Sequence, residues 1–175
     1  MRIVAGKFAG RDLTSPNDFR VRPTAEHVRA ALLDRLAPDL PGARVLDLFA
    51  GTGALALEAL SRGAARADFV EFRPASLHAL RANVAALRLR DRTRIFKRDA
   101  LPFAAALAAD AYDVAFVDPP YESRMLDRVI DSWHATGFAR VLAAEHARTH
   151  PLPPGDDHLA LGDTTVTIYR LPPAP

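Results

Sequence analysis

Asp47, Glu71, Asp99 and Asp118 are the acids best placed to share a chemical task, because each stands within or just after a short apolar run. The last of them opens the string Asp118-Pro119-Pro120-Tyr121. Proline has no N–H, so this string presents a carboxylate and carbonyl oxygens without competing donors. Two acceptors converging on an amine hold both of its N–H groups and favour a pyramidal nitrogen, whose lone pair is then free to attack an electrophile. Tyr121 adds a flat face for a base taken out of its stack. Alone, the string also fits a strand-ending turn, where Asp and Pro are common. A second constellation is Asp47-Leu48-Phe49-Ala50-Gly51-Thr52-Gly53. Gly51 and Gly53 let a ligand approach the backbone, and a helix starting behind them offers it unpaired N–H groups.

These residues act together only on a scaffold that gathers strand ends. Val45, Leu46, Leu48 and Phe49 predict a strand at 44–49 buried on both faces, and a helix follows at 53–62, closed by Gly63. Strand, glycine turn and helix make the first half of a nucleotide-binding βαβ unit. The alternation continues with a strand at 67–72 and a helix opened by Pro74, with Leu77, Leu80, Val84 and Leu87 inward. A strand at 93–97, a short helix after Pro102, a strand from Tyr112 to Asp118, a helix at 124–135 and a strand at 139–145 come next. Beyond Pro151–Gly155, His158–Leu161 and Thr164–Tyr169 flank a Gly162-Asp163 turn and predict a closing antiparallel hairpin. The expected fold is α/β, a three-layer sandwich around a mostly parallel seven-stranded sheet with an antiparallel C-terminal hairpin.

Ahead of this unit, Arg2–Leu13 reads as a hairpin around a loop bracketed by Gly6 and Gly10. A turn at Ser15-Pro16-Asn17-Asp18 and an extended Arg20–Thr24 follow. Thr24 is the expected N-cap of a helix through Leu36, with Val28, Ala31, Leu32 and Leu36 on one face. Pro38, Pro41 and Gly42 mark the boundary, so residues 1–40 form an appendage and residues 41–175 the nucleotide-binding unit.

In an open α/β sheet the ligand crevice lies at the carboxyl ends of the strands. Asp47, Glu71, Asp99 and Asp118 then occupy four successive strand ends, Glu71 standing 24 residues after Asp47. Such a crevice repels a pyrophosphate and suits an amine, ribose hydroxyls and a positive sulfonium. S-adenosylmethionine fits it better than NAD, although Gly51-Thr52-Gly53-Ala54-Leu55-Ala56 also satisfies a relaxed dinucleotide fingerprint.

Composition narrows the classes. The chain has 175 residues, 49% of them hydrophobic, and no cysteine, which excludes disulfides, Cys-ligated zinc and thiol catalysis. No run approaches the ~18 apolar residues of a membrane span, and Lys7 and Arg11 interrupt any signal-peptide core. A cytoplasmic protein with no membrane partner and no metal is expected. His146 and His150 are spaced like zinc ligands but lack the accompanying Glu pattern, so they read as a surface pair. Ser61, Ser76 and Ser123 have no nucleophile-elbow glycines, and Trp133 and Phe138 read as packing residues. The formal net charge is +2, but residues 1–29 hold six basic residues against three acids, and residues 81–98 hold seven against Asp91. Two basic patches suggest a polyanionic partner, nucleic acid first, with Arg as a mere solubiliser the alternative.

Asp47 through Gly53, Glu71, Asp99-Ala100 and Asp118 through Tyr121 resemble the class I S-adenosylmethionine methyltransferases that modify exocyclic amines of bases. With Met1–Lys7, Gly10-Arg11, Arg22-Pro23-Thr24 and Val28-Arg29, the chain is similar to the bacterial 16S ribosomal RNA guanine-N2 methyltransferases, the RsmD family, from residue 1 to Tyr169. It departs from that family at Ala30, usually Glu, at Leu33, usually Phe, and in a compressed segment after Tyr121.

The resemblance implies a Rossmann-like class I methyltransferase fold, S-adenosylmethionine as cofactor, and 16S ribosomal RNA or a precursor of the small subunit as partner; a small chain with its own RNA arm is expected to act as a monomer. It implies that Asp47, Gly51 and Gly53 line the methionine end, that Glu71 holds the ribose hydroxyls and that Asp99 holds the adenine amine. Phe49, Ala50, Phe72 and Ala100 complete the cofactor set. Asp118, Pro119 and Tyr121 would be catalytic, Asp118 also touching the cofactor, and Arg2, Lys7, Arg11, Arg20, Arg22 and Arg29 would contact RNA. Arg22 and Arg29 could equally close over the cofactor or be solvated. Two other readings stay open: the same chemistry on DNA adenine, or a non-catalytic RNA-binding module that keeps a cofactor pocket.

Overall fold

The computed structural model of the protein describes residues 1–16, 25–121 and 123–172. Five strands run parallel: β1 (Arg44–Leu48), β2 (Arg66–Glu71), β3 (Thr93–Lys97), β4 (Tyr112–Val117) and β5 (Ala139–Ala147). The hairpin of β6 (Asp157–Leu161) and β7 (Thr164–Arg170) completes one seven-stranded sheet of order β3-β2-β1-β4-β5-β7-β6, with β7 antiparallel to both neighbours. The helices are α1 (Glu26–Arg35), α2 (Ala54–Ser61), α3 (Pro74–Ala86), α4 (Ala100–Ala105) and α5 (Met125–Thr136). This is the expected three-layer sandwich.

Strand periodicity divides the core in two. Val45, Phe69, Phe116 and Val141 join a cluster with α1, α2 and α3, whereas Leu46, Leu48, Val70 and Val117 join another with α4 and α5. Central strands covered on both faces explain why β1 is apolar after Arg44 save for Asp47, and β4 apolar after Asp113. Trp133 and Phe138 are buried as expected, and the indole Nε1 donates to the Ala139 carbonyl at 2.7 Å.

Two elements differ from expectation. The helix α4 starts ahead of Pro102, not after it, because Asp99 caps it: its Oδ1 accepts from Leu101 N at 2.9 Å. A first-turn proline lacks only an N–H that would have had no intrahelical partner. On α1, Arg29 and Leu33 are buried beside Val28 and Leu32, while Ala31 is half-buried. The expected turn at Asn17-Asp18, the extended Arg20–Thr24 and the Thr24 cap lie outside the described residues.

The N-terminal hairpin forms, with a bridge between Arg2 and Asp12 and bonds from Ile3 N to Arg11 O (2.9 Å) and Gly10 N to Ile3 O (2.8 Å). Ile3, Leu13 and the apolar face of α1 lie in the same hydrophobic cluster as α2. The loop latches onto the end of α2: Lys7 N donates to Ser61 O at 2.8 Å and Phe8 N to Ser61 Oγ at 2.9 Å. Gly6 is required at this contact, since a Cβ there would stand 2.1 Å from Ser61 O.

Beneath the loop, Arg29 Nε donates to Glu58 Oε2 at 2.7 Å, both side chains being fully buried. The Arg29 guanidinium also donates to Arg2 O, and Glu58 Oε1 accepts from Ala5 N and Arg62 Nη2. Arg29 is therefore a core ion-pair residue and not an RNA contact. A second buried acid, Asp47 on β1, accepts from Ala56 N at 3.3 Å and so ties the sheet to the first turn of α2. Burial pushes its carboxyl well above the ordinary range, and the nearby charges of Asp118 and Glu71 push it further, against the Ala56 hydrogen bond.

Both buried acids bear on stability. Glu58→Ala leaves Arg29 charged and unpaired in the core, and should cost about 3–5 kcal/mol in urea unfolding. Replacing both partners, as Arg29→Met with Glu58→Leu, should recover most of that loss. For Asp47, the folded state holds its proton more tightly than the unfolded chain. Its contribution is therefore neutral below about pH 4 and increasingly unfavourable as pH rises from there toward the raised folded value. Asp47→Asn should accordingly raise the melting temperature at pH 7 and flatten its fall with pH; an unchanged pH profile contradicts the assignment.

Candidate active site

The strand order reverses between β1 and β4, so their carboxyl ends diverge into a crevice. A cavity of about 310 Å³ opens there. Glu71, Phe72 and Arg73, at the junction of β2 and α3, form one wall, and Asp99 and Leu101 at the start of α4 form the next. Phe49 after β1, the corner Asp118–Tyr121 after β4, Met125 on α5 and Glu145 on β5 close the remainder. Three of the four acids read from the sequence thus face one space.

Glu71 is held in place by backbone. Its Oε2 accepts from Gly51 N at 2.9 Å, and its Oε1 accepts from Phe72 N and Arg73 N, each at 2.8 Å. A carboxylate offers about four acceptor positions, so one remains for a ligand hydroxyl. Phe72 is 53% exposed, and it and Leu101 add apolar surface to the cavity that Glu71 and Asp99 line. Ser76 Oγ, on the same wall, is buried and has no hydrogen-bond partner among the described residues. An orphaned hydroxyl, two carboxylates and an exposed ring fit an adenosine-like ligand.

Asp47 lies behind this space. It is 2% exposed and is absent from the cavity wall, so its influence on a ligand is electrostatic. Ala50 and Ala100 are buried beneath the wall and do not line it. The two glycines separate by cause. Gly51 has φ +56° and open space where a Cβ would stand, as a ligand-approach site requires. At Gly53, φ +79°, a Cβ would meet Leu80 Cδ1 at 2.4 Å and Phe69 Cε1 at 3.1 Å, so tight packing against α3 and β2 excludes a side chain there. Phe49 is left-handed without being glycine, at φ 61°, and lines the cavity.

The Asp118 corner is braced from outside. Tyr121 Oη lies 2.9 Å from Thr164 Oγ1 and 3.4 Å from Glu145 Oε1, and Ser123 Oγ donates to Pro120 O at 2.8 Å. Pro119 is buried and Asp118 half-buried. Sequence reading missed Arg73, Ser76, Leu101, Met125 and Glu145 as wall residues. Glu145 carried a usable signal: it lies near the end of the fifth strand, as the other acids lie at or just after the first four. His146, expected at the surface, is instead buried in β5, its Nε2 2.8 Å from Thr167 Oγ1, and burial pushes its pKa down. His150 lies 3.2 Å from Asp127 Oδ1.

Of the expected RNA contacts, Arg2, Lys7 and Arg11 are exposed, and Arg20 and Arg22 lie outside the described residues. Arg11 Nη2 donates to Ala86 O at 3.1 Å, which sets the N-terminal loop beside the end of α3 and its exposed Arg81, Arg88 and Arg90. The two basic stretches of the sequence meet there. No described helix is long and apolar enough to cross a membrane.

The family model described as conserved hypothetical protein 95 matches residues 1–159. The Ribosomal RNA small subunit methyltransferase D of Escherichia coli K12 is 38% identical over 138 residues, which cover 79% of this chain and 69% of that protein. A hypothetical protein of Thermus thermophilus superposes with a TM-score of 0.83 at 31% identity, covering 98% of this chain and 99% of its own. A 16S rRNA N2 methyltransferase (RsmC) of the same organism, solved with AdoMet and guanosine, shares the fold with a TM-score of 0.69 at 22% identity, over 88% of this chain and 44% of its own. The chain therefore belongs to the conserved hypothetical protein 95 family, the RsmD group of class I methyltransferases.

Proposed function

We propose that this protein transfers a methyl group to the N2 amine of a guanine in small-subunit ribosomal RNA. The observation that carries this reading is that the Asp118-Pro119-Pro120-Tyr121 corner and the Glu71–Asp99 walls bound one cavity. When bound, S-adenosylmethionine supplies an electrophilic methyl on a sulfonium. Glu71 would take a ribose hydroxyl at its remaining acceptor position, Phe72 and Leu101 the adenine ring, and Asp99 its amine. Ser76 Oγ gives the ligand a further hydrogen-bonding group, and Gly51 leaves its backbone open to approach.

The chain's own contribution to the reaction is at the amine. Guanine N2 is a poor nucleophile because its lone pair is delocalised into the ring. Asp118 accepts one of its N–H bonds and orients the lone pair along the line of attack, while Tyr121, braced by Thr164, supports the base. As the new N–C bond forms, the methyl's bond to sulfur would break with its electron pair leaving on sulfur; the nitrogen becomes acidic, and Asp118 or water would take the released proton. The negative field of Glu71 and Asp118, the two charges that act on Asp47, favours a cationic donor over its neutral product.

Ribosomal RNA as substrate is supported by the activity named for the Escherichia coli relative and by the exposed arginines and lysine of the N-terminal loop. Residues 1–40 would hold the RNA in register, and a single chain carries both parts.

Asp118→Ala should lower methyl transfer to unmodified small-subunit RNA by about 10²-fold or more, while leaving S-adenosylhomocysteine affinity within a few-fold. Labelled-cofactor assays and calorimetry read the two. Undiminished transfer removes Asp118 from the chemistry, and mass-spectrometric mapping that finds the methyl elsewhere than on guanine N2 removes the substrate assignment.

A further inference from the structure

We infer that Glu145 is a specificity residue that reads the N1–H of the target purine and so selects guanine over adenine. This rests on the proposed amine-methylating function and goes beyond it, since the Asp118 corner alone accepts any exocyclic amine.

Glu145 lies near the carboxyl end of β5, is 7% exposed, and lines the cavity beside Pro119, Pro120 and Tyr121. Its Oε1 is 3.4 Å from Tyr121 Oη, which places the carboxylate at the rim of the surface expected to support the base. Tyr121 has a second partner in Thr164, at 2.9 Å, so holding Tyr121 does not require a carboxylate at position 145. The neighbouring side chain, His146, leaves toward Thr167 on the other face of β5, as strand alternation demands.

Purine chemistry completes the case. The guanine edge carries two adjacent donors, N1–H and N2–H, and a carboxylate accepts both in parallel. Asp118 then takes the second N2–H, and two carboxylates divide the three donors. Adenine offers N1 as an acceptor at the corresponding place. A buried carboxylate facing that lone pair leaves both acceptors unmatched, which discriminates more strongly than a merely missing contact.

The test uses the full-length enzyme and the small-subunit RNA segment that it methylates, with the target guanine replaced by 2-aminopurine. That base keeps the 2-amino group but presents N1 as an acceptor. For the wild type, kcat/KM should fall about 10- to 100-fold on the replacement, the range of one charge-assisted hydrogen bond. Glu145→Gln, whose amide can donate to N1, should lose activity on guanine yet shrink the guanine-to-2-aminopurine ratio to a few-fold. A purely structural Glu145 would lower both substrates equally and leave the ratio unchanged, which overturns the inference. Should Glu145→Gln fail to fold, the wild-type ratio decides alone, equal rates on the two bases overturning it. Failure of the underlying function reads differently: the wild type then does not methylate the guanine substrate at all.

Discussion

The grip of three backbone N–H groups on the Glu71 carboxylate is the joint on which the site depends. It ties the end of β2 to Gly51 in the turn after β1 and to Phe72 and Arg73 at the start of α3. Parallel strands would otherwise leave these loops independent, because each strand end opens into its own connection. With the grip in place, the glycine turn, the exposed Phe72 ring and the orphaned Ser76 hydroxyl hold fixed positions relative to one another. A pocket made of loops thereby gains the rigidity of the sheet beneath it.

The same convergence of strand ends has an electrostatic consequence. Asp47, Glu71 and Asp118 are close enough that the charges of the last two add to burial in raising the pKa of the first. Crowding of like charge is unfavourable in the ligand-free protein, and a cation entering the crevice relieves it. This distinguishes the site from a dinucleotide pocket, where a pyrophosphate would meet the same carboxylates. Asp47 contributes through its bond to Ala56, not through contact with the cavity. Its position at the base of α2 explains why an acid can be so deeply buried: the helix N-terminus supplies the donor.

Much of this is legible in the sequence because the signals are periodic. The alternation of apolar strands with helices predicts the sheet, and acids at four strand ends predict the crevice. What escapes has tertiary causes. Arg29 reads as surface charge, yet Glu58, 29 residues away, is its buried partner. Gly53 looks like a ligand-approach glycine, yet Leu80 and Phe69 dictate it. His146 follows Glu145 near the end of β5, and only the pairing of β5 with β7 brings Thr167 to its ring. Glu145 obeys the rule that finds the other acids and escapes notice because no motif surrounds it. Local pattern identifies the strand ends; long-range packing decides which side chains fill them.

One side chain bonds to both the N-terminal segment and the glycine turn of the crevice. Asn83, buried on α3, accepts from Thr14 N at 2.7 Å and donates to Thr14 O and Thr52 O, each at 3.0 Å. Thr14 ends the hairpin that carries Lys7 and Arg11, and Thr52 sits between Gly51 and Gly53. An amide that satisfies both sides at once couples the basic arm to the glycine turn without any flexible intermediary. Since Ile3 and Leu13 also share a core with α2, the arm cannot swing as a separate body while that core persists. Under the proposed function, RNA held by the arm is therefore registered against the crevice by the fold itself, and the exposed arginines act as a ruler as well as a source of charge.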